Sequence, residues 1–356
     1  MISVIIVNYN SADLIKRAVD SVFMENENIE VFIVDNTSTF QEQEQLHNIF
    51  DAQKVNLIFN ESNIGFAKAC NQAFLYSRGE YIFLLNPDAY LIPPCLSLLR
   101  EFLEDTPDAA SVSPLIYWDS NLQYIFPYMF LPSPGLDFYM KLSQLSQIFG
   151  QLCSLYGRWK NIGLWKSSLP VKVKNLSGGT IMLKRSAIQK TGFLFDDSYF
   201  LFYEDNDLFL RLMKAGYELY VVPAAKAVHS YKHTKIKLDI MTQSRNIYYE
   251  KNFSNSLLKY ISQMILNHTQ KDEYSDSGIW NTSPFFTVPE DLTEGYLFEW
   301  SFNHLFIPAV GYFGQGKTLA FPQEIWDSLD SGKYFSRFSD CHKSFEVKNP
   351  FVWSKV

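Results

Sequence analysis

Asp88 closes the stretch Tyr81-Ile82-Phe83-Leu84-Leu85-Asn86-Pro87-Asp88, in which five consecutive apolar residues are cut off by a proline two positions later. A run this short, bounded by Gly79 and Pro87, reads as a strand buried on both faces. Asp88 then stands just past the carboxyl end of a central parallel strand, where ligands of open α/β sheets collect. One carboxylate there can hold a divalent cation and, through it, a diphosphate, although Asn-Pro-Asp also makes an ordinary turn. Glu204 and Asp205 open a helical stretch that ends near Ala215 with Gly216 as its left-handed stop. At a helix amino terminus the backbone dipole favours an ionised carboxylate and holds its pKa down, which suits a general base. Acidic capping, with an Asp207–Arg211 pair one turn apart, is the structural alternative. Gly178 and Gly179, ahead of the strand-like Ile181-Met182-Leu183, let a ligand lie close to the backbone.

The elements that would position these groups follow from the order of apolar runs. Ile2 to Val7, Val31 to Val34, Val55 to Phe59 and Tyr81 to Leu85 read as strands, separated by helical stretches around Leu14 to Val22, Glu42 to Phe50 and Ala67 to Tyr76. This alternation implies a parallel sheet with right-handed crossovers. A polar residue closes each strand, namely Asn8, Asp35, Asn63 and Asp88, so these share one rim. Ile92-Pro93-Pro94 starts a further helix, and Ser111 to Trp118 reads as an edge strand. Between Phe126 and Trp159, Leu142, Leu145 and Phe149 recur at helical spacing, which suits a core-facing helix or, alternatively, a flap or lipid contact beside a cleft.

The chain has 356 residues, 47% of them hydrophobic, with 30 Phe and 21 Tyr, enough for a full core and for aromatic surface in a cleft. The net charge of −7, without a Lys/Arg block, argues against nucleic acid as a partner. Cys70, Cys95, Cys153 and Cys341 lie far apart, with neither metal-ligand spacing nor a paired framework, and fit a reducing compartment. The first residues run straight into a strand with no basic region ahead of it, so no signal peptide is expected. Nor does any segment supply ~18 consecutive apolar residues for a membrane span.

The series IIVNYNS, FIVDNTS, ESNIGFAKACNQAF, FLLNPDAYL, NLSGGTIMLKRSAI, FLFYEDNDLFLRLMKAGY and VVPAAKAVHS resembles family-2 glycosyltransferases of GT-A fold, in the branch of bacterial rhamnosyltransferases, over residues 1 to about 255. The resemblance implies an inverting enzyme with a GT-A (Rossmann-like) mixed sheet that uses a nucleotide-diphosphate sugar and Mg²⁺ or Mn²⁺. The donor is a UDP- or dTDP-sugar such as dTDP-rhamnose, and the acceptor a saccharide or lipid-linked saccharide in bacterial surface polysaccharide synthesis. It assigns Asp35 to the pyrimidine base, Asn8 and Tyr9 to the nucleoside pocket, and Asn63 and Gly65 to close backbone approach. Asn86 and Asp88 stand at the diphosphate, with Asp88 and His229 at the metal and Asp205 as catalytic base. Gly178, Gly179, Glu204 and Arg245 fall to the acceptor side. Asn86 replaces the first acid of the family's D-x-D motif, and the usual H-x-x-G-x-S is replaced here by His229-Ser230-Tyr231-Lys232-His233-Thr234, where Lys232 offers a charge for phosphate.

Residues 1–270 are therefore expected to form the glycosyltransferase domain, with a donor half at 1–118 and an acceptor half at 119–270. A polar linker at 271–287 leads to a small β-rich accessory domain at 288–356. Gly311 to Thr318 matches the phosphate-cradling G-x-x-x-x-G-K-T pattern, but Pro322 follows too soon for the helix such a loop must open. The expected location is cytoplasmic, with a peripheral position at the inner face of the cell membrane as the other placement. A nucleotidyltransferase of similar fold and a catalytically inactive donor-binding module are the rival readings.

Overall fold

The computed structural model describes residues 1–50, 54–230, 238–265, 274–342 and 347–356. The first half follows the apolar runs: β1 (Ile2–Asn8), α1 (Ala12–Phe23), β2 (Ile29–Asp35), α2 (Phe40–Ile49), β3 (Val55–Phe59), α3 (Phe66–Tyr76) and β4 (Tyr81–Leu85). These four strands are parallel, in the spatial order β3-β2-β1-β4. Every residue of β1 and β4 is buried, which is why both read as uninterrupted apolar runs. Asn8 faces Asp35 across the β1–β2 pair, so the strand ends do share a rim.

The chain continues through β5 (Ala89–Ile92), α4 (Cys95–Asp105), β6 (Ala109–Tyr117), α5 (Pro134–Leu145), α6 (Gln147–Trp165), β7 (Val171–Val173), β8 (Thr180–Lys184), α7 (Arg185–Thr191), α8 (Glu204–Lys214), β9 (Glu218–His229), α9 (Leu238–Phe253) and α10 (Leu257–Met264). The sheet grows to nine strands, β3-β2-β1-β4-β8-β6-β9-β5, with β7 also on β9. Strand β8 runs antiparallel between β4 and β6, which makes the sheet mixed. Strand β6 is interior and not the expected edge: β8 and β9 flank it and all nine of its residues are buried. Alternation along β1 feeds two apolar layers. Val4 and Ile6 pack with Ile15 and Val19 of α1 and Leu99 of α4, whereas Ile5 and Val7 join the layer of Cys70 of α3 and Leu208 of α8.

A second sheet follows, from β10 (Ser275–Trp280), β11 (Phe285–Thr287), β12 (Tyr296–Ser301), β13 (Val310–Gly314), β14 (Thr318–Ala320), α11 (Gln323–Ser328), β15 (Gly332–Asp340) and β16 (Phe351–Lys355). Five strands order as β10-β16-β15-β12-β13, and β11 pairs with β14 alone. The stretch 271–287, expected as a linker, thus contains two strands. Its polarity misled because β10 is an edge strand whose side chains lie mostly in solvent. The G-x-x-x-x-G-K-T match spans β13, a turn and the start of β14, so no helix amino terminus follows it. Gly311 is instead required because a Cβ there would overlap the Trp165 ring.

The two sheets share apolar and ionic contacts. Trp118 and Tyr124 belong to the same buried cluster as Phe298, Trp300 and Trp353, and Ile125 exchanges backbone hydrogen bonds with Gly311. Arg158 of α6 and Glu299 of β12 form a fully buried ion pair, and Arg337 adds a bidentate contact to Glu299 at 2.9 and 3.1 Å.

Candidate active site

Strand ends place the first group of residues. His229 closes β9 directly opposite Ala89 of β5, which sets its Nε2 3.1 Å from Asp88 Oδ1 and 3.4 Å from Asn86 Nδ2. Its ring stacks on Phe126 at 5.9 Å with an interplanar angle of 6°. Carboxylate and imidazole are both ligands for Mg²⁺- or Mn²⁺-type ions, and their convergence fits a site that takes its remaining ligands from diphosphate and water. Among the described residues no group of three or more His, Cys, Asp or Glu side chains comes together. Lys232 lies outside the described residues.

The second group meets at the start of α8. Asp205 Oδ2 accepts from the Gly178 amide at 3.1 Å, and Oδ1 from the Asn206 amide at 2.7 Å. A Cβ on Gly178 would come within 2.7 Å of the Asp205 Cβ, and one on Gly179 would overlap the side chain of Asn86, whose backbone N–H donates to the Gly179 carbonyl at 2.7 Å. The expectation that these glycines admit a ligand is thereby refined: they admit Asp205 and Asn86 to each other's neighbourhood. Phe202 and Tyr203, with φ of 70° and 65°, hold the left-handed conformation just ahead of the acid pair. Such backbone costs about 1–3 kcal/mol per residue and persists where the surroundings enforce it. Ser244 of α9 donates to the Leu201 carbonyl at 2.7 Å, which braces this turn.

The helix dipole does not hold Asp205 down, contrary to expectation. Burial dominates, and the Asp205 carboxyl is pushed up to about 6 despite its amide hydrogen bonds. Glu204 is raised as well, by burial first and then by the Asp205 charge. Asp207, also fully buried, has the structural role expected of it: it pairs with Arg211 at 3.1 Å and with Lys251 of α9 at 2.9 Å.

Asn86, His229, Gly178, Gly179, Glu204 and Asp205 border one cavity of about 560 Å³. The nucleoside-side residues form a separate cluster. Asp35 is buried and accepts from Asn8 at 2.8 Å and from Ser38 and Gln43 at 3.0 Å, which leaves one acceptor position for a base N–H. Asn8 is fully buried and donates to Asp35, whereas Tyr9 is exposed at the rim. Asn63 accepts from Asn36 and from the Gly65 amide, which locks the loop. Gly65 has φ of +86°, and a Cβ there would lie 2.6 Å from the Phe200 carbonyl oxygen, so the close approach it permits is to protein backbone. Arg245 is not a cavity residue: it pairs with Asp137 and lies over the Tyr249 ring at 4.3 Å. A surface arginine on a helix gave no sign of which partner it would choose.

The sequence reading missed the opposite wall, which Trp300, Ser301, Phe302, Pro308 and Val310 of the second sheet supply together with Trp118 and Phe126. The signal available was the alternation of Tyr296 to Phe302, which sets Trp300 and Phe302 on one strand face.

The sequence model of glycosyl transferase family 2 matches residues 3–191. The chain belongs to glycosyl transferase family 2. It is 25% identical over 255 residues to the N-acetylglucosaminyl-diphospho-decaprenol L-rhamnosyltransferase of Mycobacterium tuberculosis, covering 66% of this chain and 77% of that protein. It is 24% identical over 249 residues to the rhamnosyltransferase WbbL of Escherichia coli K12, covering 65% of this chain and 84% of WbbL. A chondroitin synthase of Pasteurella multocida is 35% identical over 107 residues, which is 30% of this chain but only 11% of the synthase. Among solved structures, GalNAc-T7 with UDP, GalNAc and Mn²⁺ superposes with a TM-score of 0.50 at 14% identity, over 76% of this chain and 55% of that one. The shared fold is GT-A, and the family-2 match covers β1 to β4, with Asp35 and Asp88, and the Gly178-Gly179 turn.

Proposed function

We propose that the protein is an inverting glycosyltransferase that moves a sugar from a UDP- or dTDP-sugar, dTDP-rhamnose foremost, to a saccharide or lipid-linked saccharide acceptor in bacterial surface polysaccharide synthesis. The observation that carries this reading is Asp205, anchored on the Gly178 amide at 3.1 Å and facing a cavity it shares with Asn86 and His229. A carboxylate fixed by two amides, with its pKa lifted toward neutrality, is a competent acceptor for the proton of an attacking hydroxyl. Asp88 and His229 would hold Mg²⁺ or Mn²⁺, the ion supplied with UDP in the GalNAc-T7 structure. When bound, such an ion offsets charge on a leaving diphosphate. Asn86 and the Gly179 carbonyl fix the edge of the cavity nearest that group, and Asp35, held by Asn8 and Gln43, receives the base. The rhamnosyltransferase relatives support a deoxyhexose donor. A thermal-shift screen of nucleotide sugars, each with and without Mn²⁺, tests the reading: a UDP- or dTDP-sugar should raise Tm, and more so with metal. Stabilisation by no nucleotide sugar under either condition would remove it.

A further inference from the structure

Helix α6 presents apolar side chains outward as well as inward, where Cys153, Leu164 and Trp165 are buried. Its buried face carries the ionic and polar groups: Arg158, fully buried, pairs with Glu299 and donates to Ser339, and Asn161 accepts from the Tyr128 amide at 2.8 Å. Its outward face carries Ile148, Leu152, Leu155 and Trp159, spaced four, three and four residues apart and 70%, 51%, 36% and 54% exposed. That spacing puts them on one stripe, and a continuous apolar stripe in water marks a surface meant to be covered.

Charge indicates what covers it. On α6 itself the charged residues are Arg158, which is buried, and Lys160, and the helix carries no acid, in a chain whose net charge is −7. Lys160 lies at the stripe, with its Nζ 4.7 Å from the Trp159 ring centroid and 5.9 Å from that of Tyr156. Aliphatic residues, an exposed tryptophan and lysine on an acid-free helix match the composition of helices that lie at the headgroup level of anionic bilayers. The stripe also connects to the cavity. Ring contacts run from Tyr128 in its wall to Phe130 at 5.0 Å, Tyr156 at 5.8 Å and Trp159 at 6.0 Å.

We propose that the outward face of α6 docks the protein on an anionic membrane surface and so brings the Tyr128 wall of the cavity toward the lipid. Only the idea that this position serves a lipid-linked acceptor rests on the proposed function. The docking does not.

The full chain should sediment with vesicles of equal parts phosphatidylcholine and phosphatidylglycerol, and far less with phosphatidylcholine alone. Leu152→Glu and Trp159→Glu should each weaken sedimentation roughly tenfold, since each removes buried apolar surface and adds a repelled charge. Lys160→Glu should weaken it with the anionic vesicles only. Donor turnover to free nucleoside diphosphate, measured in solution, should be unchanged in all three variants, which also shows that they fold. Failure of the wild type to bind anionic vesicles, or unchanged binding by both glutamate variants, would overturn the proposal. So would a concentration-dependent dimer that Leu152→Glu dissociates in the absence of vesicle binding. Lack of turnover in every variant and the wild type, with vesicle binding intact, would count against the enzymatic reading and leave the docking standing.

Discussion

A carboxylate at the start of α8 experiences two opposing influences, the helix dipole with its amide donors and the loss of water around it. At Asp205 the second is larger, and the folded pKa rises from an ordinary 3.8 to about 6. Two consequences follow with opposite signs. The base must be ionised to act, so kcat/KM should be level above pH ~6 and fall about tenfold per unit below it, the slope of a single essential base. A profile flat down to pH 5 would exclude the Glu204–Asp205 pair as the base, whichever oxygen carries the proton. A raised folded pKa also makes Asp205 favour folding most at acid pH, below 3.8, and that contribution is lost as pH rises through 6. Asp205→Asn should therefore leave Tm unchanged or raise it at pH 8, as expected where activity is maintained at a cost in stability. Beside His229, Asp88→Asn should abolish the Mn²⁺-dependent gain in nucleoside diphosphate affinity without unfolding the rim, and calorimetry reads this directly. Equal metal-linked affinity in the variant would remove Asp88 from the metal site.

At the scale of elements, the parallel half was legible because a strand buried on both faces must be an apolar run and its end must be polar. Asp35 and Asp88 were placed at strand ends for that reason. Strand β6 was misread because Ser111 and Ser113 interrupt its apolar character, yet both are buried in the sheet interior. The spacing of Leu142, Leu145 and Phe149 left a core-facing helix and an exposed one both open, because periodicity shows that apolar residues share a face without showing which way it points; Leu145 ends α5 and Phe149 lies on α6, each 45% exposed. The role of Gly178 was visible only as permissiveness; the structure shows what is admitted. Gly178→Ala would push a methyl group to 2.7 Å from the Asp205 Cβ, and displacing a base by even a fraction of an ångström is costly. The expected result is a loss of transfer of at least ~10-fold with donor affinity kept, since a misplaced catalytic group costs up to ~10²-fold. Wild-type transfer by this variant would show that the Gly178 contact does not position the base.

At the scale of the molecule, the second sheet is joined to the first by more than a chain connection. Trp118 and Tyr124 are buried with it, Trp300 and Phe302 wall the cavity, and Arg158 pairs with Glu299 of β12. Glu299→Gln would leave Arg158 and Arg337 buried beside a neutral group, and removal of one partner from such a network costs about 3–5 kcal/mol. Chemical denaturation should register that loss, and a change near zero would mean the pair is not buried in solution. Removal of residues 288–356 should lower stability more than this single change, and no longer leave donor binding intact as a detached accessory domain would. The central claim, that this cleft transfers sugar with Asp205 as the base, is tested most directly by measuring donor binding and sugar transfer side by side in Asp205→Asn. Asn has nearly the size and shape of Asp and, at the second residue of α8, keeps a side-chain oxygen for the Gly178 amide, so the fold is preserved. The account predicts donor affinity close to wild type and transfer reduced by at least ~10²-fold, the lower end for loss of a positioned general base. Transfer near the wild-type rate would contradict it.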